Sequence, residues 1–303
     1  ILMDYSSFDD IKINRRDLRG IEDVKELKIA VPHMRIIPRS KRDNINRVIE
    51  LIKESKKDHD PHIFLIPSWF IAGPIIEYPG INQNTLRKYA EKIPGPLVNV
   101  LIDIARKNSI YLLTGSFLER AGPRLYISSL FISPFKEEGV VFKYRKLNLT
   151  NNENIYIAPG KDLGIFDFDN VRLGVLLEED IYAPEISRIL ALSDTDLIVS
   201  FSKLIKSFVN IKHIVMTRAI ENKTLFINVG GILELSSKDT IDIKTMIVRG
   251  DGEIVGESKD SYYEEEIFYA SLKIRGSKKR SRKTEIDLLK RIISYARKKR
   301  IIS

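Results

Sequence analysis

GVLLEEDIYAPE, residues Gly174 to Glu185, begins as an apolar run and ends in charge. Val175 to Leu177 read as a buried strand, and the run stops at adjacent carboxylates, Glu178 and Glu179, with Asp180 behind them. A sheet holds the side chains at its strand ends rigidly, so such a terminus is a natural place for chemistry. The question is what acidic groups do where a buried strand surfaces.

Outward from this stretch, strand-like and helix-like runs alternate. LKIAV (Leu27–Val31) and IFLIP (Ile63–Pro67) are short apolar runs, and between them NINRVIELIKES places Ile45, Val48, Ile49 and Ile52 at helical spacing. LRKYAEKI leads into GPLVNVLIDIARKN, which predicts a second helix ending at Lys107 and Asn108. IYLLTGSF, LYISSLFISP and VVFKYRKL are strand-like, separated by Gly, Pro and charge. After VRLGVLL come a helix around PEISRILAL, a strand at DLIVSF and a helix at IKHIVMTRAIEN. TLFINVGG, IKTMIVRGDGEIVGES and EIFYASLKI supply late strands, two of them joined at Gly250-Asp251-Gly252. Early alternation with a late hairpin predicts an α/β fold with some antiparallel pairing. The expected organisation is one body over residues 1–275, with an extension over 1–23, and a basic tail over 276–303.

Composition narrows the chemistry. The 303 residues include no cysteine, which excludes disulfides, thiolate metal sites and a cysteine nucleophile. No apolar run approaches the roughly 20 residues that span a bilayer, and residues 1–23 show no secretory h-region, so a cytoplasmic setting is expected. Charged residues make up 30% and Gln83 is the only glutamine, a pattern suited to a thermophile. The net charge is +9, and residues 276–303 hold eleven basic side chains against Glu285 and Asp287, so the body is neutral by count.

The segments LKIAV, FLIP, LLTGS, VFKYRKLNLTNNE, Pro159-Gly160, GVLLEEDIYAPE, RAIENKTLFINVGG and IVRGDGEIV, in that order, resemble the nitrilase (carbon–nitrogen hydrolase) superfamily from about Leu27 to Ile274. The resemblance implies a four-layer αββα sandwich and a homodimer or larger homo-oligomer. It also implies a Glu, a Lys and a Cys at strand ends: the Glu takes the thiol proton, the thiolate attacks carbon, and the Lys stabilises the developing charge. Here Lys146 fills the lysine position and Glu153 matches an auxiliary glutamate, but Ser68 stands at the base position and Glu178 at the nucleophile position. Asp180, Pro184 and Glu185 fit the flanking pattern.

Two readings follow. In one, Glu178 pairs with Lys146 across a retired site, and the protein is a binding or scaffold module. In the other, it is a divergent amidase-like hydrolase using Lys146 and Glu178. A serine at the base position accepts no proton at neutral pH, and an ionised carboxylate is a feeble base toward a serine hydroxyl. His33, Trp69 and Asp180 are candidates to line the pocket. Glu153, Glu178, Glu179 and Asp180 invite comparison with a hard-cation site, yet successive strand residues point to opposite faces, so Glu178 and Glu179 are not expected to converge. His59 and His62 read as a surface turn. No metal or cofactor is expected.

In the tail, Lys278, Lys279, Arg280, Arg282 and Lys283 form a basic cluster ahead of TEIDLLKRIISYARKKR, with Thr284 a plausible N-cap. Ile286, Leu289, Ile293 and Ala296 lie along one stripe, widened by Leu288, Ile292 and Tyr295. With Arg297, Lys298, Lys299 and Arg300, the basic residues suit nucleic acid, an acidic protein or an anionic lipid surface; the alternative is a helix that clasps a second subunit.

Overall fold

The computed structural model describes residues 26–137, 139–236, 239–259, 264–273 and 282–299. The extension over 1–23, and Lys278, Lys279, Arg280 and Arg300 of the basic cluster, lie outside these residues, as does the side chain of Lys283.

In chain order the elements begin with β1 (Glu26–His33), β2 (Arg35–Ile36), α1 (Lys41–Asp58), β3 (Ile63–Ile66), α2 (Gln83–Tyr89) and α3 (Pro96–Asn108). There follow β4 (Tyr111–Thr114), β5 (Phe117–Ala121), β6 (Arg124–Ile132), β7 (Val140–Arg145), β8 (Ile165–Phe168) and β9 (Val171–Leu177). Next are α4 (Pro184–Leu192), β10 (Leu197–Phe201), α5 (Ile211–Asn222), β11 (Leu225–Val229), β12 (Gly231–Ser236) and β13 (Asp239–Ile243). The last are β14 (Met246–Val248), β15 (Ile254–Glu257), β16 (Glu266–Lys273) and α6 (Lys283–Lys298).

Helix α1 buries Val48, Leu51, Ile52 and Ser55 along one face. It is longer than its apolar pattern suggests because its ends are polar. Asp43 in the first turn and Lys56 and Lys57 in the last complement the helix dipole without contributing to the stripe. The single helix expected after Leu86 is two. Asn82 caps α2 by accepting the Thr85 N–H, and α3 starts afresh at Gly95-Pro96, where the missing proline N–H is an orphan anyway. At α6 the cap position belongs to Arg282, so Thr284 sits inside the first turn instead.

The strands form two large sheets. One runs β16-β1-β3-β4-β6-β5, with β7 added to β6; the other runs β15-β14-β11-β10-β9-β8. Each has a parallel centre, β1-β3-β4 and β9-β10-β11, flanked by antiparallel strands. The sheets face one another through aromatic rings: Phe131 of β6 lies 4.6 Å from Phe166 and 5.4 Å from Phe168 of β8, and Tyr111 of β4 lies 4.7 Å from Phe168. Helix α3 packs against β4 and β6 of the first sheet and touches α1; α4 and α5 pack together over β9, β10, β11 and β14 of the second. The layers are therefore helix, sheet, sheet, helix, the αββα sandwich expected. Gly174 lets α4 sit close on β9, since a Cβ there would press on Leu190 and Ile198. A third, three-stranded sheet, β13-β12-β2, was not anticipated.

What matters for function is where the parallel strands stop. Residues just past the C-terminal ends of β3, β4, β9 and β10 all emerge on one side of the sandwich, the usual location of sites in open α/β sheets. The in-register pairs Ile66 with Thr114 and Leu177 with Phe201 bring those four ends together two by two.

Candidate functional site

Glu178 follows the last residue of β9 with φ of +53°, a left-handed conformation that an L-residue with a long side chain rarely adopts. It opens a turn of 3₁₀ helix, Glu178–Tyr182, rather than continuing the strand. This sharp exit turns Glu178 and Glu179 toward the same centre, so strand alternation, which argued against their convergence, does not apply. Trp69, just past β3, has φ of +58°. Such conformations cost of order 1–3 kcal/mol each and persist only where the surroundings over-determine them.

Lys146 extends from the end of β7 into the buried centre. Its Nζ lies 2.9 Å from Glu178 Oε2 and 2.8 and 2.7 Å from the two oxygens of Glu153, and it also pairs with Glu179. The pairing of Glu178 with Lys146 expected across the site is present. It is one edge of a larger network, because a second buried lysine, Lys203, two residues past β10, joins it. Lys203 Nζ lies 2.7 Å from Glu153, 3.0 Å from Glu179, 3.5 Å from Glu178 and 2.9 Å from Glu77. Lys146, Lys203, Glu153 and Glu178 are fully buried, whereas Glu179 and Glu77 reach partly to solvent.

The other oxygen of Glu178, Oε1, accepts the Trp69 indole N–H at 2.6 Å and the Ser116 hydroxyl. Ser68, also buried, does not meet Glu178. Its Oγ accepts the Ser116 backbone N–H at 3.3 Å, so Ser116 stands between them. Gly115 permits this approach, because a Cβ there would collide with the backbone of Pro67 and Ser68.

Charges set the protonation states. Burial favours a neutral Glu178, but Lys146, then Lys203 and the Ser116 hydroxyl outweigh it and hold the carboxyl at about 2. Burial likewise pushes both lysines down, and the surrounding glutamates, Glu178 foremost, more than reverse this, so both remain firmly charged. Neither ammonium is available as a nucleophile or base. Oxygens of Glu153, Glu178 and Glu179 lie within 4.8 Å of one another, a spacing that suits a hard cation. The two lysine ammoniums sit against all three carboxylates and offset two of their three charges.

The remaining sequence candidates fall elsewhere. Asp180 is held by hydrogen bonds at the strand ends. It is buried, accepts the Tyr144 hydroxyl at 2.8 Å and the backbone N–H groups of Leu147, Asn148 and Leu177, and so ties β7 to the end of β9. Burial pushes its carboxyl up, against those donors, to about 6. His33 is packed in the core, with Nδ1 3.0 Å from Thr245 Oγ1 and Nε2 3.2 Å from Asp242. His62 accepts the Lys28 N–H through Nδ1, and His59 lies against the Tyr269 ring. Trp69 is a hydrogen-bond donor to the centre. Arg282 is not a surface cation: it is 7% exposed and donates to the Asn222 carbonyl at the C-terminus of α5 and to Thr224 Oγ1. Arg297, Lys298 and Lys299 are exposed on and just beyond α6.

Lys203, Glu77 and Ser116 were missed. Lys203 had a usable signal, a lysine just beyond the buried strand LIVSF, the same logic that singled out Glu178. Ser116, two residues past the buried strand YLLT, had the same signal, and Glu77 had none.

Comparison with known proteins places this geometry. The carbon-nitrogen hydrolase family profile matches residues 28–278. A nitrilase from Pyrococcus abyssi is 29% identical over 232 residues, 76% of this chain and 83% of that protein. An omega-amidase from Danio rerio is 27% identical over 185 residues, 58% of this chain and 63% of that protein. Saccharomyces cerevisiae Nit3, of branch 10 of the nitrilase superfamily, superposes with a TM-score of 0.71 at 22% identity, covering 82% of this chain and 90% of that one. An amidase from Nesterenkonia sp. AN1, solved with an acetamide moiety added covalently at its active-site cysteine, superposes at 0.67 with 17% identity, over 86% of this chain and 97% of that one.

Proposed function

The chain belongs to the carbon–nitrogen hydrolase family, and we propose that it is a member without hydrolase activity that serves as a binding or scaffold module. The observation that carries this is Glu178 at the left-handed turn after β9, with both oxygens engaged by Lys146, Trp69 and Ser116. Nucleophilic attack on a nitrile or amide carbon needs an available lone pair and a base to take its proton. The chain has no thiol, Ser68 is not activated by any carboxylate, and Glu178, held at about 2, takes no proton near neutrality. Breaking a buried ion pair to free Glu178 would cost several kcal/mol before any chemistry began.

The second reading, a divergent hydrolase, draws on the retained strained turn and on Lys146 beside Glu153. It requires Glu178 to attack an amide carbon, form an anhydride and expel an amine, a poor leaving group. One assay separates the two: turnover of nitriles, amides and N-carbamoyl compounds, with Lys146→Ala as control. The module reading expects no difference between wild type and control; turnover abolished by Lys146→Ala overturns it.

In the same proposal the protein works as a homodimer through the outer layer of α4 and α5, where Ile220 of α5 and Tyr182 and Val209 of the turns leading into the two helices are exposed. A second copy placed there would extend the sandwich. Sedimentation of wild type and Ile220→Glu tests this: the variant should be monomeric. The basic C-terminal segment contributes affinity for an anionic partner, since it carries the whole of the +9 excess. The scarcity of glutamine and the share of charged residues support a thermophilic setting. Among the described residues, no helix is long and apolar enough to cross a membrane.

A further inference from the structure

Helix α6 carries two kinds of apolar residue. Ile286, Leu289, Ile293 and Ala296 are partly shielded, whereas Leu288, Ile292 and Tyr295 are 51%, 55% and 60% exposed. Spaced by four and three, the second group forms a continuous open strip about two turns long. Arg291 and Lys298 are exposed along one edge of it, and Lys299 is exposed just past its end. The root of the helix is fixed, because Arg282 is buried against the C-terminal carbonyl of α5 and lies 4.0 Å from Asp194. An apolar strip in water, bordered by cations and carried on an anchored helix, is unfavourable for an isolated chain unless something covers it.

We propose that α6 is an interfacial helix that docks this protein on an anionic lipid bilayer, lying in the surface plane with Leu288, Ile292 and Tyr295 inserted at the headgroup–acyl boundary. The inference rests on the proposed role of the basic segment and names its partner. Charge complementarity selects the occupant. A second copy of α6 on this strip would bring two strongly basic segments together, and the repulsion would oppose the small apolar gain. A nucleic-acid backbone would satisfy the cations but leave the strip in water. An anionic bilayer satisfies both, the cations at the phosphates and the strip below them. Tyr295, with an apolar ring and a polar tip, suits that boundary.

The test is co-sedimentation of the full chain with phosphatidylcholine vesicles, with and without phosphatidylglycerol, alongside gel shifts on duplex DNA. The strip variant Leu288→Ser/Ile292→Ser/Tyr295→Ser retains every basic residue. The charge variant Arg291→Glu/Lys298→Glu/Lys299→Glu retains the strip. Wild type should bind only the phosphatidylglycerol vesicles, and each variant should bind about a hundredfold more weakly. Ile292→Trp should show a blue-shifted emission on those vesicles and none on DNA. A strip variant that binds like wild type, or DNA binding without vesicle binding, overturns the lipid assignment while leaving an anionic partner in place. Absence of binding to either probe removes the anionic partner altogether. A strip variant that loses self-association but not vesicle binding assigns the strip to a second copy. None of these outcomes bears on the hydrolase assay.

Discussion

Replacing Glu178 by Gln removes one charge from the buried network while keeping the side-chain volume and an oxygen to accept from Trp69 and Ser116. The native carboxyl sits at about 2 against an ordinary 4.5, a difference worth on the order of 3 kcal/mol at neutral pH. A folded-state pKa below the unfolded value contributes stability that is present above the unfolded value and is lost as pH falls through the folded one. Glu178→Gln should therefore be about 3 kcal/mol less stable than wild type at neutral pH, and the gap should close as pH drops from about 4.5 towards about 2. Lys146→Met is the counterpart, leaving Lys203 alone among Glu77, Glu153, Glu178 and Glu179. Removing one partner of a buried pair costs about 3–5 kcal/mol. Because Lys146 and Glu178 touch, the double variant should lose about 1–3 kcal/mol less than the sum of the singles. Urea unfolding followed by far-ultraviolet circular dichroism measures all four proteins, which avoids relying on Trp69, itself bonded to Glu178. A gap independent of pH, or strict additivity, would refute the argument that this charge network holds the site closed.

Tyr144→Phe removes the hydroxyl that donates to Asp180, and unfolding should show a loss of about 1–2 kcal/mol at neutral pH, where Asp180 is ionised, shrinking below about pH 6 as it protonates. Gly160→Ala would drive a Cβ into the Arg145 carbonyl, next to the residue whose own carbonyl accepts the Gly160 N–H. A loss of about 1–3 kcal/mol in thermal melts is expected, and a neutral effect would mean that the close approach is not constrained. Arg282→Ala should release the root of α6 from the end of α5, read out as faster cleavage between the body and α6 in limited proteolysis, with the melting temperature of the body little changed.

The order of apolar runs and their polar ends carried most of the architecture. Period-two and period-3.6 patterns are local, and residues such as Val175, Ile63 and Val48 declare their burial by their neighbours alone. The positions of Ser68, Lys146, Glu153 and Glu178 were legible through the family resemblance, Ser68 and Glu178 also because each stands just past an apolar run, and the absence of cysteine settled which nucleophile the chain lacks. The third sheet was not legible: β2 has only two residues, and its pairing with β12 joins Arg35 to Ile232, about two-thirds of the chain apart. Nor was the convergence of Glu179 on Lys146, which depends on one dihedral, the positive φ at Glu178, that no composition reveals. Lys203 and Arg282 show the same limit. Lys203, although its place after a strand is a usable signal, does not name its partners, and Arg282 in a basic cluster reads as a solvated charge. What makes one an internal counter-ion to Glu153 and the other a cap on α5 is a partner 50 or 60 positions away. Charge at a distance acts through space, so the chain's own order could say which residues were charged, while only the folded arrangement could decide which of them met.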